Sequence, residues 1–329
     1  MGNRAQLSRI RIIGGCILAV VAICSYVLLG SWTLGKSTAW AMATTDNSKL
    51  VLGTDRGDIV TWDLYRKCKI AKFRCKYTSP VLSVALSSDC RYIAVNQQSG
   101  AVESVTICDS TSGAVICHGA APKNTKAMQF TNGDESLVLF GDDIAMVDLK
   151  AKASAYVRKA ANAEAGLCLE KAGILFGNGW GDISFCRTES LRKEKPDVCI
   201  AAHSSNITCI HKDIEANVVV VASLDKSLTF WAVPELTRLR SIRGHLAPVM
   251  LATLNSKVGL LASGDTSGTV KVWSIANNFE IGSVQLDQVP LGVLFMQHGT
   301  SWYLVLIHED RIAYHVADVL SKGFLDEVK

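Results

Sequence analysis

Apolar and polar positions alternate in short bursts along most of this chain, and the bursts come in pairs. Residues 51–64 read VLGTDRGDIVTWDL: an apolar run, a Gly/Asp-rich turn, then alternating positions ending at Trp62-Asp63. Residues 219–233 (VVVASLDKSLTFWAV) and 260–275 (LLASGDTSGTVKVWSI) repeat the arrangement. Each copy predicts two strands joined by a tight turn. Weaker copies stand at 100–107, 140–149, 181–188 and 309–316. The equivalent column is Trp62, Val105, Val147, Cys186, Trp231, Trp273 and His315, spaced by 43, 42, 39, 45, 42 and 42 residues. A further alternating strand precedes each copy, as at 38–43, 80–85 and 207–210. An outer strand follows, as at 68–73 and 236–242.

Seven copies of about four strands each predict an all-β, seven-bladed β-propeller of four-stranded blades over residues 38–325. A lone blade exposes apolar faces on both sides; packing blades in a ring buries them. The signature residues resemble the WD40-repeat family. Trp-Asp occurs at Trp62-Asp63 and Gly-His at Gly244-His245. His203, Asp225 and Trp231, with Ser223 as the hydroxyl member, resemble the family's structural hydrogen-bond network. His245, Ser263 and Trp273 resemble it in the next repeat, where Ser267 stands at the place of the acid. The resemblance implies protein or peptide binding on the propeller faces.

Residues 12–32 break the alternation with 21 uncharged positions. At about 1.5 Å per residue a helix of that length spans a bilayer core, so a single N-terminal transmembrane helix is predicted behind a basic tail, residues 1–11. The competing signal-peptide reading cuts at Ala39-Trp40-Ala41 or Ala41-Met42-Ala43, which removes the first inner strand. Arg4, Arg9 and Arg11 precede the run and Lys36 follows it. That bias predicts a cytoplasmic N-terminus and a propeller on the non-cytoplasmic side.

Hydrophobic residues make up 49% of the chain and charged residues 19%, an apolar excess partly placed by the N-terminal run. The net charge of +4 equals the contribution of those four basic residues, so the rest is balanced and no nucleic-acid partner is expected. Arg238, Arg240 and Arg243 read as a solvated strand edge. The eleven cysteines show no zinc spacing; if a disulfide forms, Cys108 with Cys117 across the turn at Ser112-Gly113 is the pair. The odd, scattered thiols sit poorly with an oxidising exterior.

No catalytic constellation, metal site or cofactor motif emerges, and a small-molecule ligand is not expected. Gly264-Asp265-Thr266-Ser267-Gly268 and Gly177-Asn178-Gly179-Trp180-Gly181 read as turns, the second without the helix or lysine of a phosphate loop. Trp180 is the candidate interaction anchor. The expected function is a membrane-tethered, non-catalytic interaction platform. The alternatives are an exported propeller enzyme or small-ligand binder of hydrolase or quinone-dependent dehydrogenase type, or an envelope assembly factor.

Overall fold

A computed structural model describes residues 27–316, apart from 34–38, 46–47, 75–76, 132, 160, 170–171, 194, 214–216, 299–300 and 309–310. Among the described residues, 28 strands form seven four-stranded antiparallel sheets. Six sheets use four consecutive strands each. Sheet one is Ala39–Thr45, Lys49–Thr54, Asp58–Asp63 and Cys68–Arg74. Sheet two is Val81–Leu86, Tyr92–Ser99, Val102–Asp109 and Val115–Ala120. Sheet three is Ala127–Thr131, Ser136–Phe140, Ile144–Asp148 and Ala153–Arg158. Sheet four is Ala163–Cys168, Gly173–Asn178, Asp182–Arg187 and Val198–Ala201. Sheet five is Ile207–Lys212, Val218–Ser223, Ser227–Ala232 and Thr237–Arg243. Sheet six is Val249–Asn255, Leu260–Asp265, Thr269–Ser274 and Glu280–Gln285. The remaining sheet, here sheet seven, is composite: Gly292–His298, Ser301–Ile307 and Arg311–Val316 are completed by Val27–Thr33 from the other end of the chain.

The inner strands of sheets one to seven touch in chain order. Second strands such as Lys49–Thr54 and Leu260–Asp265 are buried almost throughout, whereas outer strands such as Cys68–Arg74 and Thr237–Arg243 are mostly exposed. A strand covered on both faces needs apolar residues at consecutive positions, which is why Val218–Val221 and Leu50–Leu52 do not alternate. Each apolar cluster straddles one pair of neighbours. Val51 and Ile59 of sheet one pack with Val81 and Ile93 of sheet two, and Phe230 of sheet five packs with Leu254 and Trp273 of sheet six. The ring closes where Leu50, Leu52 and Trp62 of sheet one meet Leu294, Val305 and Ile307 of sheet seven. The architecture is a β-propeller of four-stranded sheets.

Three expectations change. The run 12–32 does not form one helix: Val27–Thr33 is a strand, paired antiparallel with Arg311–Val316. It pairs with the free edge of Arg311–Val316 and becomes the sheet's own outer strand, as the fourth strand does in the other sheets. Among the described residues no helix is long and apolar enough to cross a membrane. The tail 1–11 and the run Ile12–Tyr26 lie outside the described residues. Second, the column slips in sheet two. The penultimate residue of its third strand, carrying the same bulge as Trp62, Trp231 and Trp273, is Cys108 and not Val105. The cause is the eight-residue strands of its longer hairpin. Third, Cys108 and Cys117 are not joined by a disulfide. Cys117 lies opposite Ile107 and Cys108 opposite Val115, so the thiols point to opposite faces.

Arg238 and Arg240 are not simply a solvated edge. Their guanidinium groups lie 6.0 Å from the Trp231 ring and 4.7 Å from the Phe230 ring, and Arg240 also donates to the Ile275 carbonyl of sheet six.

Sheets five and six are joined by side-chain bonds along their inner strands. Thr208 donates to the Val249 carbonyl (2.8 Å), and the Leu254 and Ser256 amides donate to His211 Nδ1 (3.2 Å) and Asp213 (2.6 Å). Because His211 Nδ1 accepts a backbone N–H, its ring is neutral. Burial pushes its pKa from 6.5 down to about 4, against the pull of Asp213. A depressed histidine pKa gives stability that is complete above 6.5 and lost as pH falls toward 4. Acidification from pH 7 to 4 should therefore cost this seam on the order of 2 kcal/mol, discounted because the ring is partly exposed. Unfolding midpoints measured across that range should fall for the native chain and fall less steeply in His211→Asn. Packing sets a second expectation. A Cβ on Gly177 would lie 2.4 Å from Ile207 of the next sheet, so Gly177→Ala should destabilise by about 1–3 kcal/mol, checked by denaturant unfolding.

Candidate functional site

Turns joining second to third strands, and links joining one sheet to the next, share one end of the ring, called here the upper end. Backbone bonds tie them together. The amides of Ala202 and His203 donate to Gly181 O (both 3.0 Å), Leu224 N donates to Asn206 O (3.0 Å) and Thr266 N donates to Pro248 O (2.9 Å). Two buried histidines organise this end.

In sheet five His203 Nδ1 stands 3.0 Å from Asp225 Oδ2 and 3.0 Å from Ser227 Oγ, and its Nε2 stands 2.8 Å from Thr229 Oγ1. Trp231 Nε1 donates to the same Thr229 oxygen at 2.8 Å. Ser223 is not the relay hydroxyl. It donates to Ser205 O at 3.0 Å and accepts from Asp225 N. In sheet six His245 Nδ1 lies 2.7 Å from Asp265 Oδ2, its Nε2 2.7 Å from Ser263 Oγ, and Trp273 Nε1 donates to Ser263 at 2.8 Å. The acid is thus Asp265, two residues before the expected place. Ser267 instead donates to Asp265 through its amide (2.9 Å) and hydroxyl (2.6 Å).

Burial lowers both histidine pKa values, although Asp225 and Asp265 pull them up. Burial alone would raise the two aspartates. Hydrogen bonds from Ser227, Ser204 and His203 hold Asp225 below the usual carboxylate range, and bonds from Ser267, His245 and Thr269 do the same for Asp265. One protonation state satisfies every atom: Nδ1–H donates to carboxylate, the hydroxyl accepts from indole N–H and donates to Nε2. Each circuit is closed and braces the loop that carries its histidine against the turn that carries its acid.

Trp62 and Asp63 do not join such a network. The Trp62 indole N–H is buried without a hydrogen-bond partner among the described residues, and Asp63 accepts from Arg66 N (2.7 Å) at the opposite end. Sheet one relies instead on Asp58, which pairs with Arg74 (2.6 Å) and Lys72 (2.9 Å). Among the described residues no group of acidic, histidine or cysteine side chains could hold a metal ion.

The braces support exposed apolar residues. Trp180 sits on a turn capped by Asn178, whose Oδ1 accepts from Trp180 N (2.9 Å) and Asp182 N (3.0 Å). Gly181 follows at φ +92, and a Cβ there would lie 2.3 Å from His203 O, so the Trp180 turn rests directly on the His203 link. Trp180 is 69% exposed and Leu246, next to buried His245, is 90% exposed. Leu82, Val102 and Val289 add exposed apolar surface at the same end. Leu82 is the bulged residue of its inner strand, as are Glu164, Thr208 and Met250 of theirs. Leu246 was legible in principle: a histidine turned inward pushes its neighbour out. The bulges left no sequence mark.

Removing Asp265 orphans His245 Nδ1–H and two turn amides, so Asp265→Ala should cost about 2–3 kcal/mol of unfolding free energy, and Ser267→Ala less than about 1. Denaturant titration of both variants separates Asp265, which holds the imidazole, from Ser267, which stands at the place where an acid was expected.

Comparison with known proteins agrees with this geometry. The WD domain, G-beta repeat family matches residues 236–274, which end on Trp273 and its strand. Human apoptotic protease-activating factor 1 is 24% identical over 196 residues, 58% of this chain and 15% of that protein. Human angio-associated migratory cell protein is 30% identical over 96 residues, 28% of this chain and 22% of that protein. The chain therefore spans less than a quarter of the length of these curated relatives. Ring, repeat and the two His–Asp–hydroxyl–Trp braces together identify the chain as a member of the WD40-repeat β-propeller family.

Proposed function

We propose that this propeller, with the composite sheet as its seventh blade, is a non-catalytic platform that binds a protein or peptide at its upper end. The observation that carries the reading is the pairing of exposed Trp180 and Leu246 with buried braces directly beneath them. Rigid aromatic and aliphatic groups on loops already ordered lose little entropy on binding, which is how hot spots reach their strength. WD40 propellers in general bind proteins without catalysis, and a protein named for activating a protease is similar over more than half of this chain.

Proximity labelling with the full chain tests it. Neighbours enriched by the native protein should be lost in Trp180→Ser with Leu246→Ser, whose exposed positions leave folding intact. They should be retained in Val115→Ser, at an exposed position of the opposite end. For a purified partner the double variant should weaken binding by about thirtyfold or more. Equal labelling by all three forms would overturn the assignment of the face.

A further inference from the structure

The composite sheet fixes where the N-terminal segment meets the ring. Val27 pairs with Val316, and Thr33 with Arg311. Arg311 follows an upper-end turn, so Val27 lies at the lower end. In the sequence Val27 is preceded by the uncharged residues 12–26 and, before them, by Arg4, Arg9 and Arg11. At fifteen residues this uncharged stretch is shorter than the roughly 20 that a spanning helix needs.

The ring carries matching chemistry on both sides of the same corner. Sheets six and one flank sheet seven. Their lower turns hold the exposed aromatics Phe279 (69%) and Tyr65 (39%). Arg66 beside Tyr65 projects into solvent, and Lys67 lies with its ammonium 6.0 Å from the ring of Tyr303. Tyr303 is the cross-strand partner of Val316, so Lys67 stands in the row that leads to Val27. Lys49 and Lys257 are exposed on neighbouring lower turns. Among the described residues, Glu280 of this sector pairs with Lys271, and Asp63 lies 3.8 Å from Arg66, whose side chain remains 83% exposed.

We propose that the lower corner of the ring, across sheets six, seven and one, docks on a phospholipid surface containing acidic lipids. Tyr65 and Phe279 seat at the headgroup level, where aromatic rings that are partly apolar and partly wetted are favoured. Arg66, Lys67, Lys49 and Lys257 face the lipid phosphates, each worth roughly fivefold in affinity near an anionic surface. The upper end, with Trp180 and Leu246, then faces away from the lipid. This inference is independent of which partner the upper end binds, and its failure leaves that reading standing.

The test is sedimentation of the full chain with vesicles of phosphatidylcholine alone or mixed with phosphatidylserine, followed by amide hydrogen exchange on the bound form. Binding should rise with the phosphatidylserine fraction. Arg66→Ser with Lys67→Asn should weaken it by roughly thirtyfold, asparagine being chosen because residue 67 has φ +53. Phe279→Ser should weaken it as well, and Trp180→Ser should not. Exchange should slow at 64–67 and 275–279 and stay unchanged at 179–181 and 244–248. Absence of vesicle binding, or binding unaffected by the lower-corner variants, overturns the proposal, as does protection confined to the upper end.

Discussion

Everything in this molecule depends on sheets being covered on both faces. The second and third strands of each sheet are apolar on both sides and have no stable existence outside a stack. A linear stack would leave two uncovered ends; a ring leaves none. The ring is possible because the last sheet packs Leu294, Val305 and Ile307 on Leu50, Leu52 and Trp62 of the first. Small residues such as Gly177 let neighbouring sheets approach to contact. Val27–Thr33 serves the same closure. As the outer strand of the closing sheet it fastens the two parts of the chain together.

Polar groups inside such a stack are tolerated where they form closed circuits. The His–Asp–hydroxyl–Trp sets of sheets five and six use the same four chemical parts in different positions. Thr229 supplies the hydroxyl from the third strand in one, and Ser263 supplies it from the second strand in the other. The acid shifts by two residues between them. What is preserved is the circuit, with a neutral imidazole between a carboxylate and a hydroxyl that accepts from indole. Trp62, lacking those parts, keeps its ring as apolar packing and leaves its N–H unbonded among the described residues.

Much of this was legible in the sequence. Period and turn chemistry disclosed the hairpins because both follow from local rules: alternation for half-buried strands, Gly and Asp for tight turns. His203, Asp225 and Trp231 were legible as a set because their spacing matches a recurring circuit. The failures have one cause, that long-range pairing overrides local appearance. Val27 to Trp32 reads as part of an apolar helix because a continuous apolar run fits a covered strand equally well, and its partner is nearly 290 residues away. Ser267 was assigned as the acid's replacement by counting back from Trp273, but a carboxylate two residues nearer the strand reaches the same imidazole. Cys108 was displaced by Val105 because a longer hairpin shifts register without changing pattern.

Closure also gives the ring a direction. Each sheet runs from its inner strand outward, and the link to the next sheet departs from the upper end, so the loops richest in braces and exposed apolar residues collect there. The composite sheet must obey the same polarity, because Val27–Thr33 takes the place of a fourth strand and hands the chain to sheet one at the upper end. The chain therefore enters this strand at the lower end. A single antiparallel pairing thus sets the end of the ring at which Val27 stands. The two ends are chemically separate: ordered apolar anchors above, and basic and aromatic turns around the entry strand below.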